Sequence, residues 1–589
     1  MTGESGFFGL LQATTHPSLG HAVIAGLGGP DSGTTALQGT TLGSIGPDAA
    51  WHHAGQSSVA CHGEIYNMHD LCKQLDMPAD TSRPHILLAG WRRWSTGLLP
   101  RLNGVFALVL RDGDELLLYR DPSALKNLYV YTGCSGQIAF ATNLDALLRL
   151  PGTVRRLARR SLHEYLRFLD IAAPNTLFED VTSMEAGQAV RWSARGTETL
   201  PLPWPGADEP SPTTFAEAVA MLDVHLHRSV QTRLAGSTRP AAFLSGGVDS
   251  SLICAIAARH RADLTALTVG FDTAVHDEAP IAQRVAAHLG IAHQVLRFTR
   301  GQYLSAFETL SQHMEQPMAD PATPATVLAY GHCRSHFDVV LDGMGADESV
   351  GAMPPRHVRL AVGYASMLPL GVRRMLAALL QATPGLAGYA PVLDFEHPAD
   401  TMIRWRGFTR PEIEALCGEP VSFAHTQFYR TFAGFPRRAH YERYSALLNA
   451  LPCDRLNQAM LISAAPVRYP FWDSDIDRFI RQLRTDFRHL PAEPKRILRA
   501  VLARYVPRKL WDLPKHGFNF PLWEFLSAED FRLVRRYLDP GRWRRTALIS
   551  VDHLQRYAQQ FVAGDQRLAF RVWALVVLGA WLEKHDELD

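Results

Sequence analysis

Residues 241–260, AAFLSGGVDSSLICAIAARH, constrain the fold of this chain more than any other stretch. The first four residues are apolar and fit a buried strand, and apolar residues return after Ser251 at helical spacing. In the intervening SGGVDSS, two adjacent glycines let backbone amides approach an anion closely. The stretch therefore predicts a strand, a glycine-rich turn and a helix N-terminus, whose free N–H groups and partial positive charge favour a phosphate or pyrophosphate.

The predicted phosphate cradle consists of residues that supply backbone amides or hydroxyls, namely Ser245, Gly246, Gly247, Ser250 and Ser251. Asp249 would repel phosphates unless it holds a cation, so we predict that it binds Mg²⁺ that travels with them. No Gly-Lys-Ser/Thr follows, so the loop is not a Walker A loop. A glycine–serine turn that binds no ligand is the structural alternative.

SGGVDSS resembles the pyrophosphatase loop of the N-type ATP pyrophosphatases, a family that includes asparagine synthetase, GMP synthetase, NAD synthetase, β-lactam synthetase and the lasso peptide cyclases. A second apolar segment (263–271) and a helical pattern (279–289) follow, as in a doubly wound parallel sheet. Ligands of such sheets bind at the carboxyl ends of the strands. The resemblance implies that ATP binds here, with Leu244 and Val269 along its adenine.

A second loop with acidic residues follows the apolar segment 338–341. Its sequence, DGMGADE at 342–348, resembles the SGxGxDE loop of the same family. The resemblance implies that Asp342 and Gly343 approach the nucleotide and that Asp347 is a second Mg²⁺ ligand beside Asp249. Carboxylates on two converging loops suit a Mg²⁺–ATP site, whereas a lone acidic glycine loop would be only a turn.

Two later segments contain lysines in family-like patterns. Residues 495–499 resemble KxxLR, and residues 515–522 resemble RxKxGFxxP. In the synthetases, the lysine that matches Lys515 steadies negative charge on the adenylate and pyrophosphate. We therefore predict that Lys515 and Asp347 are catalytic; a surface lysine in a glycine turn is the alternative for Lys515.

The N-terminal part contains two further motif-like segments. HGEIYN at 62–67 resembles NGEIYN, and RLNGVFA at 101–107 resembles LxGxFAF. This part of the chain therefore resembles an Ntn-type glutamine amidotransferase domain. Three functional features of that domain are missing, because Thr2 replaces the N-terminal cysteine, His62 replaces the oxyanion-hole asparagine, and no arginine precedes Arg83. We predict a structural or substrate-docking remnant that does not hydrolyse glutamine.

These patterns predict two domains in an α/β and α+β fold. Residues 1–205 would form a degenerate Ntn-hydrolase-like sandwich, and 206–589 a doubly wound parallel-sheet synthetase domain of the adenine-nucleotide α-hydrolase type, joined by the proline-rich stretch 200–214. The net charge of +1 provides no general field for nucleic acid. The apolar run 572–582 is too short to span a bilayer. Seven scattered cysteines and no signal peptide predict a cytoplasmic protein.

The site residues predict ATP- and Mg²⁺-dependent adenylation of a carboxylate, followed by capture by an amine. Met344 stands where β-lactam synthetases have tyrosine and asparagine synthetases often have glutamate, which weakens both of those readings. We therefore favour a lasso peptide macrolactam synthetase that acts on a precursor peptide, with a leader peptidase as partner. An ammonia-dependent asparagine synthetase, another small-molecule amide or β-lactam synthetase, and a non-catalytic scaffold remain as alternatives. Residues 353–427 show little family resemblance, and we expect substrate-specific parts there and in the helices after Thr431.

Overall fold

The structure is a computed structural model that describes residues 6–11, 33–37, 40–45, 51–133, 138–149, 153, 155–193, 196–202, 211–270, 278–383, 385–386, 389–402, 407–436, 440–450, 454–513 and 520–585. Within these residues, the strands form three sheets. Two lie in the N-terminal part and the third lies in the C-terminal part, as the sequence predicts. The predicted boundary at residue 205 lies outside the described residues and stays a prediction.

The N-terminal sheets form a sandwich. Their strands are β1 (Gly6–Leu11), β2 (Gly33–Leu37), β3 (Thr40–Ile45), β4 (His52–Ala54), β5 (Ser57–Ile65), β6 (Gly104–Asp112), β7 (Glu115–Arg120), β8 (Tyr129–Thr132), β9 (Ile138–Ala141), β10 (Val181–Ser183), β11 (Ala189–Ser193) and β12 (Gly196–Leu200). The antiparallel orders are β10-β8-β9-β1-β3-β2 and β12-β11-β7-β6-β5-β4. Phe7 and Phe140 of the first sheet share a buried cluster with Val109 and Leu118 of the second. The sandwich prediction is therefore confirmed.

Alternating apolar residues produce this sandwich, since successive side chains of a strand point to opposite faces. Thus Val109 faces the other sheet, while Leu108 packs with Leu71 and Ile86 of the helices Met68–Gln74 and Arg83–Trp94. The strands expected near 104–110, 115–119, 128–131 and 137–142 are present. A strand expected at 21–27 lies outside the described residues.

The C-terminal sheet is parallel throughout. Its strands are β13 (Pro240–Phe243), β14 (Thr265–Gly270), β15 (Ala292–Arg297), β16 (Val339–Leu341) and β17 (Val467–Arg468), in the order β15-β14-β13-β16-β17. Ala242 and Leu341 face one buried cluster, whereas Ala241 and Val340 face another. Both faces are therefore covered, which confirms the doubly wound sheet.

Helices surround this sheet and continue to the C-terminal end. They comprise Phe215–Leu234, Val248–His260, Ala279–Leu289, Arg300–His313, Thr323–His336, Ala346–Val350, Arg356–Ala365, Leu370–Ala382, Ala390–Leu393, Arg410–Cys417, Gln427–Gly434, His440–Asn449, Asp454–Ser463, Ser474–Gln482, Thr485–Arg488, Arg496–Leu502, Arg508–Trp511, Leu522–Leu526, Ala528–Tyr537, Pro540–Thr546, Val551–Val562 and Ala569–Lys584, with Leu144–Leu148 and Arg159–Phe168 in the N-terminal part. The last helix is buried from Val572 to Leu582. Of the helices described, none has the length and apolar character needed to cross a bilayer.

Buried polar contacts join the two domains. The fully buried Arg233 donates to Asp473 Oδ2 at 2.8 Å, and Asn103 Nδ2 of the N-terminal domain donates to the same oxygen at 3.0 Å. Glu315, which is 1% exposed, accepts hydrogen bonds from Leu144 N at 2.8 Å and from the Tyr129 hydroxyl at 3.1 Å. Because a buried charge is costly without such partners, these contacts fix how the N-terminal domain sits on the synthetase sheet.

Candidate active site

The predicted phosphate cradle lies at the carboxyl end of β13, where the helix Val248–His260 begins. Gly246 has a φ of +79°, and a Cβ there would lie 2.5 Å from Ile281 Cγ2, so the turn requires glycine. Ser245 N donates to Ser250 Oγ at 3.1 Å, and Gly247 N donates to Ser245 Oγ at 3.3 Å. The loop is thus shaped by its own residues at a helix N-terminus, as an anion site requires.

The second loop lies against this cradle. A Cβ on Gly343 would be 3.0 Å from both the Asp249 carbonyl carbon and the Ser250 nitrogen, so the two loops approach backbone to backbone. The following helix, Ala346–Val350, places Asp347 in its first turn. Strands β13 and β16 are parallel neighbours, which is why their two loops meet at one edge of the sheet.

The two predicted Mg²⁺ ligands converge on one cation. Lys495 Nζ lies 2.6 Å from Asp249 Oδ2 and 2.8 Å from Asp347 Oδ1. Burial works to lower the pKa of Lys495, but the two carboxylates outweigh it and raise that pKa above its ordinary value. The ammonium therefore stays charged and shows that one cation can be shared by both carboxylates.

Sequence reasoning did not assign Lys495 to the site. The residue opens the KxxLR segment, which was the available signal, and it precedes the helix Arg496–Leu502. Its φ of +55° is left-handed, a conformation that costs a non-glycine residue about 1 kcal/mol or more. Such backbone strain is typical of functional sites, where the surrounding structure holds it in place. The other predicted lysine, Lys515, lies outside the described residues and stays a prediction.

These residues fit a magnesium–nucleotide complex. Two carboxylates reach a common point beside a phosphate cradle, and Mg²⁺ is usually held by one or two carboxylates together with substrate phosphates. In the part of the chain that the structure describes, no group of three or more His, Cys, Asp or Glu side chains is arranged to hold a metal by itself. Two carboxylates beside a phosphate cradle suit a metal that arrives with its nucleotide.

Four further residues that the sequence predicts to bind the nucleotide lie at or next to the two loops. Asp342 Oδ1 accepts a hydrogen bond from Met344 N at 3.1 Å, so this carboxylate shapes the second loop, and burial raises its pKa. Leu244 is buried and pairs with β14 through its amide, while Val269 of that strand is half-buried. Ser251 is fully buried, and its hydroxyl has no hydrogen-bond partner among the described residues. All four lie on the cradle, the second loop or the neighbouring strand.

A cavity of about 760 Å³ separates the two domains beside this site. Glu348 and Trp472 line it from the synthetase domain, and Tyr119 and Asn127 line it from the sandwich. Burial raises the pKa of Glu348 to about 7, with a further contribution from the neighbouring charge of Asp347. Ligand sites commonly measure about 300–1,000 Å³ and lie at domain interfaces, so this cavity can hold a multi-residue ligand.

A buried thiol lies beside the predicted oxyanion position of the N-terminal domain. His62 is 6% exposed, and burial, followed by Lys126 and Arg83, lowers its pKa well below the ordinary value, so the imidazole is neutral. Burial raises the pKa of the adjacent Cys61 to about 11. Because the thiolate is the nucleophile, the Cys61 thiol is a poor nucleophile at neutral pH.

Two family models match this chain. The asparagine synthase model matches residues 221–583, and the glutamine amidotransferase domain model matches residues 44–202. A putative glutamine-hydrolysing asparagine synthetase of Mycobacterium tuberculosis is 26% identical, covering 88% of this chain and 83% of that protein. Asparagine synthetase 1 of Bacillus subtilis is 24% identical, covering 89% and 85%. The carboxyethyl-arginine β-lactam synthase of Streptomyces clavuligerus is 26% identical over 53% of this chain and 58% of that protein.

Proposed function

Because the chain belongs to the asparagine synthase family, whose members form amides at the expense of ATP with Mg²⁺, we propose that this ligase closes a macrolactam ring in a processed peptide. In this proposal the chain is similar in function to the lasso peptide cyclases. It would join the N-terminal amine of the peptide to an Asp or Glu side chain. The proposed compartment is the cytoplasm, and the proposed partner is the peptidase that removes the leader.

The first step activates the peptide carboxylate. A carboxylate oxygen attacks the α-phosphorus of ATP, the bond to the bridging oxygen breaks, and pyrophosphate leaves. Residues 245–251 receive the pyrophosphate through loop amides and hydroxyls. Bound Mg²⁺ supplies electrostatic stabilisation of the phosphates, and Asp249 and Asp347 would hold it. Lys495, and by our prediction Lys515, offset the negative charge that develops.

The second step forms the amide. The amine nitrogen attacks the acyl carbon, AMP leaves, and the amine loses a proton. Glutamine is not the proposed source of that amine, since a neutral His62 stands at the predicted oxyanion position of the first domain and the adjacent Cys61 is protonated. The amine therefore comes from the substrate itself.

One observation favours a peptide over free aspartate with ammonium. The interdomain cavity of about 760 Å³ adjoins the second loop through Glu348, whereas a water-sized molecule such as ammonia needs only about 30 Å³. A cavity of this size can enclose several residues of a peptide. The relatives named asparagine synthetases support the alternative that the acceptor is ammonia.

Incubation of the purified chain with Mg²⁺–ATP and candidate acids distinguishes the possibilities. A core peptide that carries an Asp or Glu should lose one water and release AMP and pyrophosphate, as mass spectrometry and a pyrophosphate assay would detect. The same peptide with an acetylated N-terminus is the matched control and should not cyclise. Asparagine formed from aspartate and ammonium, without turnover of any peptide, would replace our proposal. Release of glutamate from glutamine would show that the first domain hydrolyses glutamine and would contradict our proposal.

A further inference from the structure

Apolar side chains are exposed mainly on one small part of the synthetase domain. Of the twelve large hydrophobic side chains that are exposed in the described chain, nine lie between residues 360 and 389. This segment, which we call the outer hairpin (356–393), contains the helices Arg356–Ala365 and Leu370–Ala382 and the short helix Ala390–Leu393. Contiguous exposed apolar surface of this kind marks an interaction site.

Both long helices of the outer hairpin direct an apolar stripe to the outside. On the first helix, Leu360 and Tyr364 are exposed, and Met367 in the following turn is 80% exposed. On the second helix, Val372, Met375 and Leu379 are exposed at i, i+3 and i+7. This spacing is that of a helix face that packs against an apolar medium.

The inner side of the outer hairpin contains a buried arginine beside a few apolar side chains. Arg373 is only 6% exposed, and its guanidinium donates to the Phe395 carbonyl at 2.7 Å. Val362, Ala365 and Phe395 form a small core of their own. The second helix therefore buries an arginine and exposes a valine, a methionine and a leucine, which is unfavourable if that face meets water only.

The charge of the outer hairpin indicates which kind of partner would bind to its exposed apolar surface. From residue 349 to residue 393 the sequence has four arginines and no Asp, Glu or Lys. The acidic residues that follow already pair with arginines, since Asp394 and Glu396 lie 3.7 Å and 3.0 Å from Arg374, and Asp400 lies 2.7 Å from Arg167. The exposed Arg356 thus gives the rim a positive field with no acidic side chain in the segment to balance it.

These features disfavour a second copy of the chain as the occupant. A two-fold interface brings the same patch of each subunit together, so arginine-bearing rims would meet without an opposing carboxylate. The exposed residues also extend over two helices and the turn that joins them, rather than along one narrow stripe suited to a groove. Tyr364 and Tyr389, both exposed, combine an apolar ring with a polar tip, as residues at a lipid headgroup boundary do.

We propose that the outer hairpin docks the enzyme onto the surface of a bilayer that contains anionic phospholipid. The apolar stripes and the turn at Met367 would enter the headgroup boundary, and Arg356 with its neighbours would contact the phosphates. Amphipathic helices with basic flanks bind membranes in this way without spanning them. The proposal does not depend on which amide the enzyme makes.

Vesicle co-sedimentation of the full-length chain tests this docking. We expect the chain to pellet with vesicles of phosphatidylcholine and phosphatidylglycerol, and much less with vesicles of phosphatidylcholine alone. The double variant Met367→Ser/Met375→Ser should bind the mixed vesicles about tenfold or more weakly. The matched control is Val224→Ser, which removes another highly exposed apolar side chain (68%) from the same domain and should bind as the wild type does.

Three results would overturn the proposal. They are no pelleting with the mixed vesicles, equal pelleting with both vesicle types, and an unchanged affinity of the double variant. Arg356→Glu is a second variant that leaves the apolar stripes intact, and it should weaken binding to the mixed vesicles alone. A concentration-dependent dimer that the double variant abolishes, without vesicle binding, would assign the surface to a second copy. Far-ultraviolet circular dichroism and thermal unfolding check that each variant is folded.

Discussion

Replacement of Lys495 by methionine tests the electrostatic centre of the site. Methionine keeps much of the apolar stem and removes the ammonium, so Asp249 and Asp347 lose their shared cation. In the wild type the ammonium lies 2.6 Å and 2.8 Å from the two carboxylates. Two negative charges would then face each other at the mouth of the phosphate cradle.

The size of the effect follows from the exposure of each partner. The side chains of Lys495 and Asp249 are 15% and 18% exposed, so their contact belongs with largely buried pairs, for which removal of one partner costs about 3–5 kcal/mol. Asp347 is 40% exposed, and solvent screening reduces the contribution of its contact with Lys495 to the free energy of unfolding to about 0.2–1 kcal/mol. We expect Lys495→Met to lower the free energy of unfolding by about 3 kcal/mol in the absence of Mg²⁺.

Magnesium should reverse part of this loss. A ligand that binds only the folded state stabilises it, and the variant offers two uncompensated carboxylates to the metal. Thermal unfolding of both proteins in EDTA and in Mg²⁺ measures the difference. Pyrophosphate release should fall about 100-fold in the variant, as when one preorganised electrostatic group is removed from an active site. Lys509→Met, at an exposed lysine in a nearby helix, is the control and should change neither quantity.

A variant that retains wild-type stability in EDTA would show that the carboxylates do not depend on this ammonium. Equal stabilisation of both proteins by Mg²⁺ would show that the lysine does not affect how the metal binds to the two carboxylates. Either result would refute our description of the cation site.

Three other predictions concern the same site and the domain contact. Asp249→Ala and Asp347→Ala should each abolish pyrophosphate release without unfolding the chain, because each removes a proposed Mg²⁺ ligand; full activity in either would contradict the assignment. Gly343→Ala should weaken ATP binding, measured by calorimetry, because the new Cβ would press on the backbone of the cradle from 3.0 Å, whereas Gly331→Ala, where a Cβ meets nothing, should not. Burial, and then Asp145, raises the pKa of Glu315 from 4.5 to about 7, so the folded chain keeps a proton that the unfolded chain loses. Stability should therefore fall as pH rises from 4.5 to 7, by up to about 3 kcal/mol, and Glu315→Gln should flatten that part of the unfolding curve.

Local sequence patterns predicted most of the fold. Apolar runs that end in glycine-containing turns predicted β13 and β14, and apolar residues at helical spacing predicted the helix Ala279–Leu289. The two kinds of element can be told apart because the apolar residues of buried parallel strands and of amphipathic helices recur with different periods. Strand β5, which contains His62, was not predicted. Its segment was interpreted from its resemblance to a family motif, and that motif has no alternation of apolar and polar residues that would indicate a strand. The unfavourable backbone of Lys495 has no sequence signature at all.

By itself, the sequence predicted the chemistry of the phosphate loop and the family resemblance of both domains, because both depend on residue identity within a few consecutive positions. Only the tertiary structure decided that Lys495, 246 residues from Asp249, completes the cation site, and that a large cavity lies between the domains. It also decided that Arg373 of the outer hairpin faces inward, whereas Val372, Met375 and Leu379 of the same helix face outward. Long-range pairings of this kind arise when separate elements pack, and no local period or motif records which elements will meet.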